Sequence, residues 1–163
     1  MISINGKFYV DNSHNYDYNK TKENSLMSNR LFYAVLSVAS LLLGGILYLL
    51  FRENTYISAL LKDFTVLEEI RGNLRFIEND FLKYYFPDFL WSFSLAFGLL
   101  TIFDSNFKGI VICSVVSFFC GLFWEIFQFL NIVSGTGDLF DIAMYLTAAV
   151  CVVVICSKRI NLK

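Results

Sequence analysis

The sequence predicts an all-α membrane protein: four transmembrane helices in a bundle, with an amphipathic helix between the first and second spans. Three observations predict it. Of 163 residues, 56% are hydrophobic and only 17% are charged, which is less charge than a soluble domain of this length carries. The apolar residues form four runs long enough to cross the hydrocarbon core as helices. The charged residues lie mostly between and around those runs.

The chain opens with a polar tail, residues 1–30, rich in Asn, Tyr and Lys. It has no sustained helical period, so we expect it to be mostly disordered. The first span, 31–51, contains no charged residue, and a helix of that length rises about 31 Å. It lies too far along the chain to resemble a secretory signal peptide, so we expect it to be retained.

An amphipathic segment, 52–86, follows the first span. Its apolar residues recur at helical spacing, and charged residues occupy the opposite face. The stripe consists of Ile57, Leu60, Leu61, Phe64 and Leu67. This pattern predicts a helix that lies on the membrane surface or packs over the bundle.

Three further spans complete the predicted membrane domain, 31–157. The second is 84–103, with Pro87 in the first turn, where a missing N–H is harmless. The third is 109–133, and the fourth is 139–156. Residues 158–163 form a basic C-terminal tail.

Composition argues against several kinds of site. The net charge of −1 provides no basic surface for nucleic acid. The single histidine, His14, lies in the polar tail, so we expect no metal site and no cofactor. The four cysteines lie in apolar runs without a CxxC pair, which indicates small buried residues. They are Cys113, Cys120, Cys151 and Cys156.

Lysine and arginine predict the orientation. With the N-terminus in the cytoplasm, eight basic residues lie on the cytoplasmic side and five on the other. The positive-inside rule therefore favours cytoplasmic N- and C-termini.

Because successive spans alternate in direction, four helix ends share one side of the membrane. Polar or aromatic residues of interest gather there, in the outer leaflet if the orientation holds. They are Arg52, Asp88, Trp91, Glu125, Gln128, Asp138 and Asp141. Glu125, Gln128 and Asn131 are spaced to share one helix face. With a helix end at residue 133, Glu125 lies about 12 Å deep, where a carboxylate usually indicates a functional site.

Each of these residues also has a structural alternative. Asp138 could cap the fourth helix, and Asp141 would then lie in its first turn, where the helix dipole favours anions. Gln128 could bond between helices. Asn131 could satisfy backbone groups at a helix end.

Two further alternatives concern charge and the membrane interface. Glu125 could be protonated, or paired with Arg52 in a structural ion pair. Trp91 could belong to an interfacial aromatic belt, together with Tyr84.

The stretch "WEIFQFLNIVSGTGDLFDIAMYL" contains E-x-x-Q near the end of one span, a short glycine-containing turn, and D-x-x-D at the start of the next. Those four positions are Glu125, Gln128, Asp138 and Asp141. The pattern resembles the VanZ-like family, and "FPDFLWSFSL" is similar to the start of that family's second span. The resemblance implies a small multi-pass protein of a bacterial cytoplasmic membrane. Its founding member is associated with low-level resistance to the glycopeptide teicoplanin.

We therefore hypothesise an acidic outer-leaflet pocket that meets a lipid-linked or amphiphilic ligand. Glu125 would be its central group, oriented by Gln128, with Asp138 and Asp141 at the mouth. Arg52 would balance charge or hold a phosphate, and Asp88 and Trp91 complete the candidate set.

Two alternatives stay open. One is an enzyme acting on a lipid phosphate through Glu125 and Asp141. The other is a structural subunit that binds a partner protein. The absence of a Ser-His, Cys-His or glycine-rich phosphate motif favours a non-enzymatic role. Membrane lipids are the partners that the sequence indicates, and no protein partner can be named from it.

Overall fold

The structure, a computed structural model, describes six stretches of backbone: residues 2–4, 7–9, 13–51, 81–103, 106–133 and 137–161. Side chains are described for 26–51, 81–103, 106–133 and 137–159. The elements in chain order are strands β1 (Ile2–Ile4) and β2 (Lys7–Tyr9), helix α1 (Ser13–Phe51), a π-helix (Phe81–Tyr85), and helices α2 (Phe86–Ile102), α3 (Phe107–Phe129) and α4 (Leu139–Asn161).

Four helices in the described part of the chain are long and apolar enough to cross a membrane. Their candidate spans are Leu26–Phe51, Phe81–Ile102, Phe107–Phe129 and Leu139–Arg159. The predicted all-α bundle of four spans is confirmed, and it indicates a multi-pass membrane protein. Large apolar side chains on the outer faces are exposed, among them Leu42, Ile112 and Val150. Lipid is the solvent that suits such faces.

The N-terminal segment differs from the prediction of a mostly disordered tail. Strands β1 and β2 pair antiparallel, with Ile2 opposite Tyr9, and α1 begins at Ser13 rather than near residue 31. Once an apolar span has nucleated a helix, each further residue adds a hydrogen bond without a new nucleation cost. Polar sequence adjoining a span can therefore stay helical. The amphipathic stripe at 57–67 lies outside the described residues.

Helix α2 is the centre of the bundle. It contacts α1, α3 and α4, and α3 and α4 also contact each other. Pro87 occupies its first turn, as predicted. Small side chains allow close approach: Ser37 and Ser94 each donate to the other's carbonyl oxygen, at 2.9 and 2.8 Å, and join α1 to α2. Such exchanges are typical of helix contacts in lipid.

Helices α2 and α3 are also joined by a pair of serines. The Ser117 hydroxyl donates to the Ser92 carbonyl oxygen at 2.6 Å, and the two hydroxyl oxygens lie 3.0 Å apart. Both side chains are buried. The serines of α2 at positions 92 and 94 thus serve two different partner helices.

The apolar core lies in one half of the bundle. Its buried members come from all four helices, near the start of the first span in α1, the end of α2, the start of α3 and the end of α4. They are Tyr33, Ala96, Phe97, Leu100, Ile110, Cys113, Val152 and Cys156. The opposite half contains the carboxylates.

Helix α3 ends at Phe129, four residues before the predicted end at residue 133. Asn131 has a φ of 56°, in the left-handed region. The Ile132 N–H donates to the Phe127 carbonyl oxygen and the Asn131 N–H to that of Gln128, at 2.9 and 3.0 Å. These two bonds form a Schellman motif, in which asparagine is one of the few residues that accept the required φ.

Candidate functional site at the carboxylate end of the bundle

Glu125 is the most deeply buried ionisable side chain at this end, with only 2% of its surface exposed. It lies on the same face of α3 as buried Ser117, eight residues earlier. Because α3 ends at Phe129, Glu125 is four residues from the helix end, or about 6 Å. The predicted depth of about 12 Å is therefore wrong, since the left-handed residue Asn131 stops the helix early.

Both carboxylate oxygens of Glu125 accept hydrogen bonds from α4 or the residue before it. Oε2 accepts from the backbone N–H of Asp138 at 3.0 Å, and Oε1 accepts from the hydroxyl of Tyr145 at 3.1 Å. The carboxylate thus lies against the N-terminus of α4, where the helix dipole favours negative charge. Glu125 joins the end of α3 to the beginning of α4.

Asp138 caps α4. Its Oδ1 accepts from the Phe140 N–H at 2.9 Å, which is the standard geometry of an N-cap aspartate. The capping alternative for Asp138 is therefore confirmed. The backbone of the same residue serves Glu125, so Asp138 has two positioning functions in this turn.

Tyr145 links three helices. Its ring is buried, its hydroxyl donates to Glu125, and that hydroxyl lies 3.3 Å from Oδ1 of Asp88 on α2. A phenol has one proton to donate, so it can serve one carboxylate fully at a time.

Gly121 makes the position of Tyr145 possible. A Cβ at Gly121 would lie 2.5 Å from the Tyr145 ring, which is closer than any real contact. Glycine on α3 therefore lets the ring lie directly against the helix backbone. That close approach brings the hydroxyl to the carboxylate of Glu125, one turn further along α3.

Asp88 and Asp141 each occupy the first turn of a helix, α2 and α4 respectively. Both are half-buried, and Oδ1 of Asp141 is shielded from solvent. The positive end of the α4 dipole therefore helps to keep Asp141 at this depth.

The structure brings four predicted carboxylates together at the end of the bundle where α2 and α4 begin and α3 ends. We call them the carboxylate cluster: Asp88, Glu125, Asp138 and Asp141. Gln128 is half-buried on the last turn of α3. Asn131 is exposed and lies beyond the helix end, so the prediction that it shares the Glu125 face is wrong.

The two remaining candidates are Trp91 and Arg52. Trp91 is 50% exposed, and its indole packs against Gly44 of α1, 3.2 Å from where a Cβ would be. It lies on the α1 side of α2, outside the carboxylate cluster. Arg52 lies outside the described residues, so its pairing with Glu125 stays a prediction.

Two contributors were absent from the predicted set. Tyr145 has a sequence signal, because it follows Asp141 by one turn on the same face. Gly121 has a weaker one, a glycine one turn before Glu125. Neither signal shows that Tyr145 donates a hydrogen bond to Glu125 or that its ring packs on Gly121. Both contacts depend on how α3 docks on α4.

The arrangement separates two kinds of carboxylate. Glu125 has both oxygens engaged and almost no exposed surface, which suits a positioning role. Asp88, Asp138 and Asp141 are half-buried and retain surface that a ligand can reach. Among the described residues, no group of three or more His, Cys, Asp or Glu is placed to hold a metal ion.

Comparison of the chain with protein-family models, with curated proteins and with solved structures finds no match in any of the three.

Proposed function

We propose that this chain is a VanZ-like integral membrane protein of the bacterial cell envelope, whose carboxylate cluster meets a lipid-linked or amphiphilic ligand and contributes to glycopeptide resistance. One observation carries the proposal. The carboxylates of Asp88 on α2 and Glu125 on α3 both lie within hydrogen-bond distance of the hydroxyl of buried Tyr145 on α4, at the end of helices long and apolar enough to span a membrane. Carboxylates at such positions are costly and usually serve a function.

The geometry suggests a division of roles within that proposal. Glu125 fixes the docking of α4 on α3 through Asp138 and Tyr145. Asp88 and Asp141 are the groups that contact the ligand. Carboxylates are hydrogen-bond acceptors, so the ligand's head group carries donors such as hydroxyls or amines. Its apolar part lies along the exposed outer faces of the helices.

The ligand can be sought directly. We would purify the full chain from bacterial membranes in mild detergent and identify co-purified amphiphiles by mass spectrometry. Asp88→Asn and Asp141→Asn should lower the enriched species at least about tenfold, since charge-assisted bonds contribute on the order of 1.5 kcal/mol or more each. Lys108→Gln, an exposed site at the other end, is the control.

Teicoplanin susceptibility of cells expressing the same variants adds a functional readout. Protection by wild type and Lys108→Gln, but not by the two aspartate variants at equal expression, would support the proposal. An enriched species that binds both aspartate variants undiminished would refute the ligand site. Unchanged susceptibility with wild type would refute the resistance role.

Orientation belongs to the same proposal: both termini face the cytoplasm, which places the carboxylate cluster in the outer leaflet. Cysteines introduced at Ser13 and Asn161 should resist an impermeant thiol reagent in intact cells, with native cysteines replaced. Lysed cells are the positive control. Labelling of either site in intact cells contradicts this orientation.

A structural membrane subunit is the second candidate. The observation that favours it is that both oxygens of Glu125 accept hydrogen bonds from α4 or the residue before it. On this alternative, the only role of the cluster is to fix how the helices pack. Co-purification of one stoichiometric protein partner, retained by Asp88→Asn and Asp141→Asn, would favour it. The enzymatic alternative through Glu125 is less favoured, because a general base needs access to its substrate's proton.

A further inference from the structure

Arg159 lies at the end of the fourth span, opposite the carboxylate cluster. Its Nε–H donates to Oδ1 of Asn29 at 3.1 Å, near the start of the first span. Its guanidinium carbon lies 4.0 Å from the ring centre of Phe32, one turn further along α1. The group is therefore held flat between α4 and α1 by a bond and by a cation–π contact.

Among the described residues, this guanidinium uses one of its donors in a hydrogen bond. Guanidinium has five N–H groups in a planar fork, and Asn29 takes the one on Nε. Within the described part of the chain, Asn29 and Phe32 are the contacts of this group. Its two terminal nitrogens carry the other four N–H groups. Arg159 itself is half-buried.

Other basic side chains surround this end of the bundle. Arg30 on α1, Lys108 on α3 and Lys158 on α4 are all exposed. With Arg159 we call them the basic rim. Among the described side chains, all four carboxylates lie at the other end, and Lys83 is the one basic residue there. Among the described side chains, the basic rim therefore has no acidic neighbour at its own end of the bundle.

We infer that Arg159 binds the phosphate of an anionic phospholipid in the leaflet around the basic rim, with Lys158 and Arg30 adding charge. The depth carries the choice of partner. Asn29 and Arg159 lie within one turn of the ends of two candidate spans, and the ends of a span lie near the level at which hydrocarbon meets the head groups. Phosphates lie at that level, and a guanidinium fork matches two phosphate oxygens. Basic pockets between spans commonly hold such head groups. This inference does not depend on the proposed function.

The test uses the full chain in detergent, titrated with phosphatidylglycerol, phosphatidylcholine or inorganic phosphate, with thermal unfolding and native mass spectrometry as readouts. We expect phosphatidylglycerol to raise the melting temperature and to bind, and the other two to have little effect. Arg159→Gln should weaken binding about tenfold. Lys158→Gln, the adjacent exposed cation, should change it by about twofold or less.

Asn29→Ala tests the pinning. It leaves every charge in place but releases the guanidinium, so we expect binding about threefold weaker with an unchanged response to phosphatidylcholine. Equal losses for Arg159→Gln and Lys158→Gln would show diffuse attraction and overturn the site. So would equal binding of phosphatidylglycerol and phosphatidylcholine by wild type, a measurement that needs no variant to fold. An equal effect of inorganic phosphate would overturn the assignment to lipid.

Discussion

The two halves of this bundle are assembled by different physics. In the half near the basic rim, the buried side chains are uncharged, mostly apolar with serines such as Ser114 among them, and the charges stay on the outside. In the half with the carboxylate cluster, a carboxylate and a tyrosine are themselves buried, 2% and 5% exposed. Charged groups therefore lie on the surface of one half and in the interior of the other.

The difference matters because lipid tails are as apolar as leucine. Apolar burial between helices therefore gains little over burial in lipid, and van der Waals packing and hydrogen bonds decide how helices dock. Packing tolerates small rearrangements, whereas Glu125 must meet a particular N–H and a particular hydroxyl. We expect single-atom changes to matter more in the carboxylate half, and three substitutions test this.

The largest effect should come from Glu125→Ala. It leaves the Asp138 N–H and the Tyr145 hydroxyl without their acceptor, and we expect a loss of about 3 kcal/mol in the free energy of unfolding. Glu125→Gln is the matched control. Its oxygen can accept from Asp138 while its amide donates to the tyrosine oxygen, so stability should stay level or rise. Thermal unfolding in detergent measures both. If Glu125→Ala is as stable as wild type, the carboxylate half is not more sensitive to such changes than the apolar half.

Gly121→Ala should come next. Its Cβ would overlap the Tyr145 ring, so the ring or the helix must shift, at about 2 kcal/mol. Gly45→Ala on α1 is the control, because a Cβ there meets nothing within 4 Å. That change should be neutral or slightly stabilising. Equal melting temperatures for Gly121→Ala and Gly45→Ala would show that the Tyr145 ring does not pack directly against the α3 backbone.

The smallest effect compares two buried tyrosines. Tyr145→Phe removes the donor to Glu125 and should lower stability by about 1 kcal/mol. Tyr33→Phe, in the apolar half, removes a hydroxyl that hydrogen-bonds to the thiol of Cys156. Thiols form only weak hydrogen bonds. We expect a smaller loss there. Chemical denaturation with both variants decides it, and a larger loss for Tyr33→Phe would reverse the comparison.

The sequence predicted much of the carboxylate end because topology constrains it. Alternating spans force the start of α2, the end of α3 and the start of α4 onto one side, so Asp88, Glu125, Asp138 and Asp141 had to be neighbours at that end. The capping of α4 by Asp138 was also readable, since an aspartate before an apolar run is a common helix start. The end of α3 was placed four residues late, because helical spacing continues past Asn131 although its backbone does not.

What the sequence by itself determined is the number of spans and the end at which the acids gather, since both follow from hydropathy and chain direction. Only the tertiary structure decided that Glu125 is enclosed, with one oxygen on a backbone N–H and the other on Tyr145, while Trp91 turns towards Gly44 of α1. The reason is that helical periodicity gives the face on which a residue lies but not the rotation and separation of two packed helices. Those are set by side-chain volume at the contact, here by the missing Cβ of Gly121 beneath the tyrosine ring.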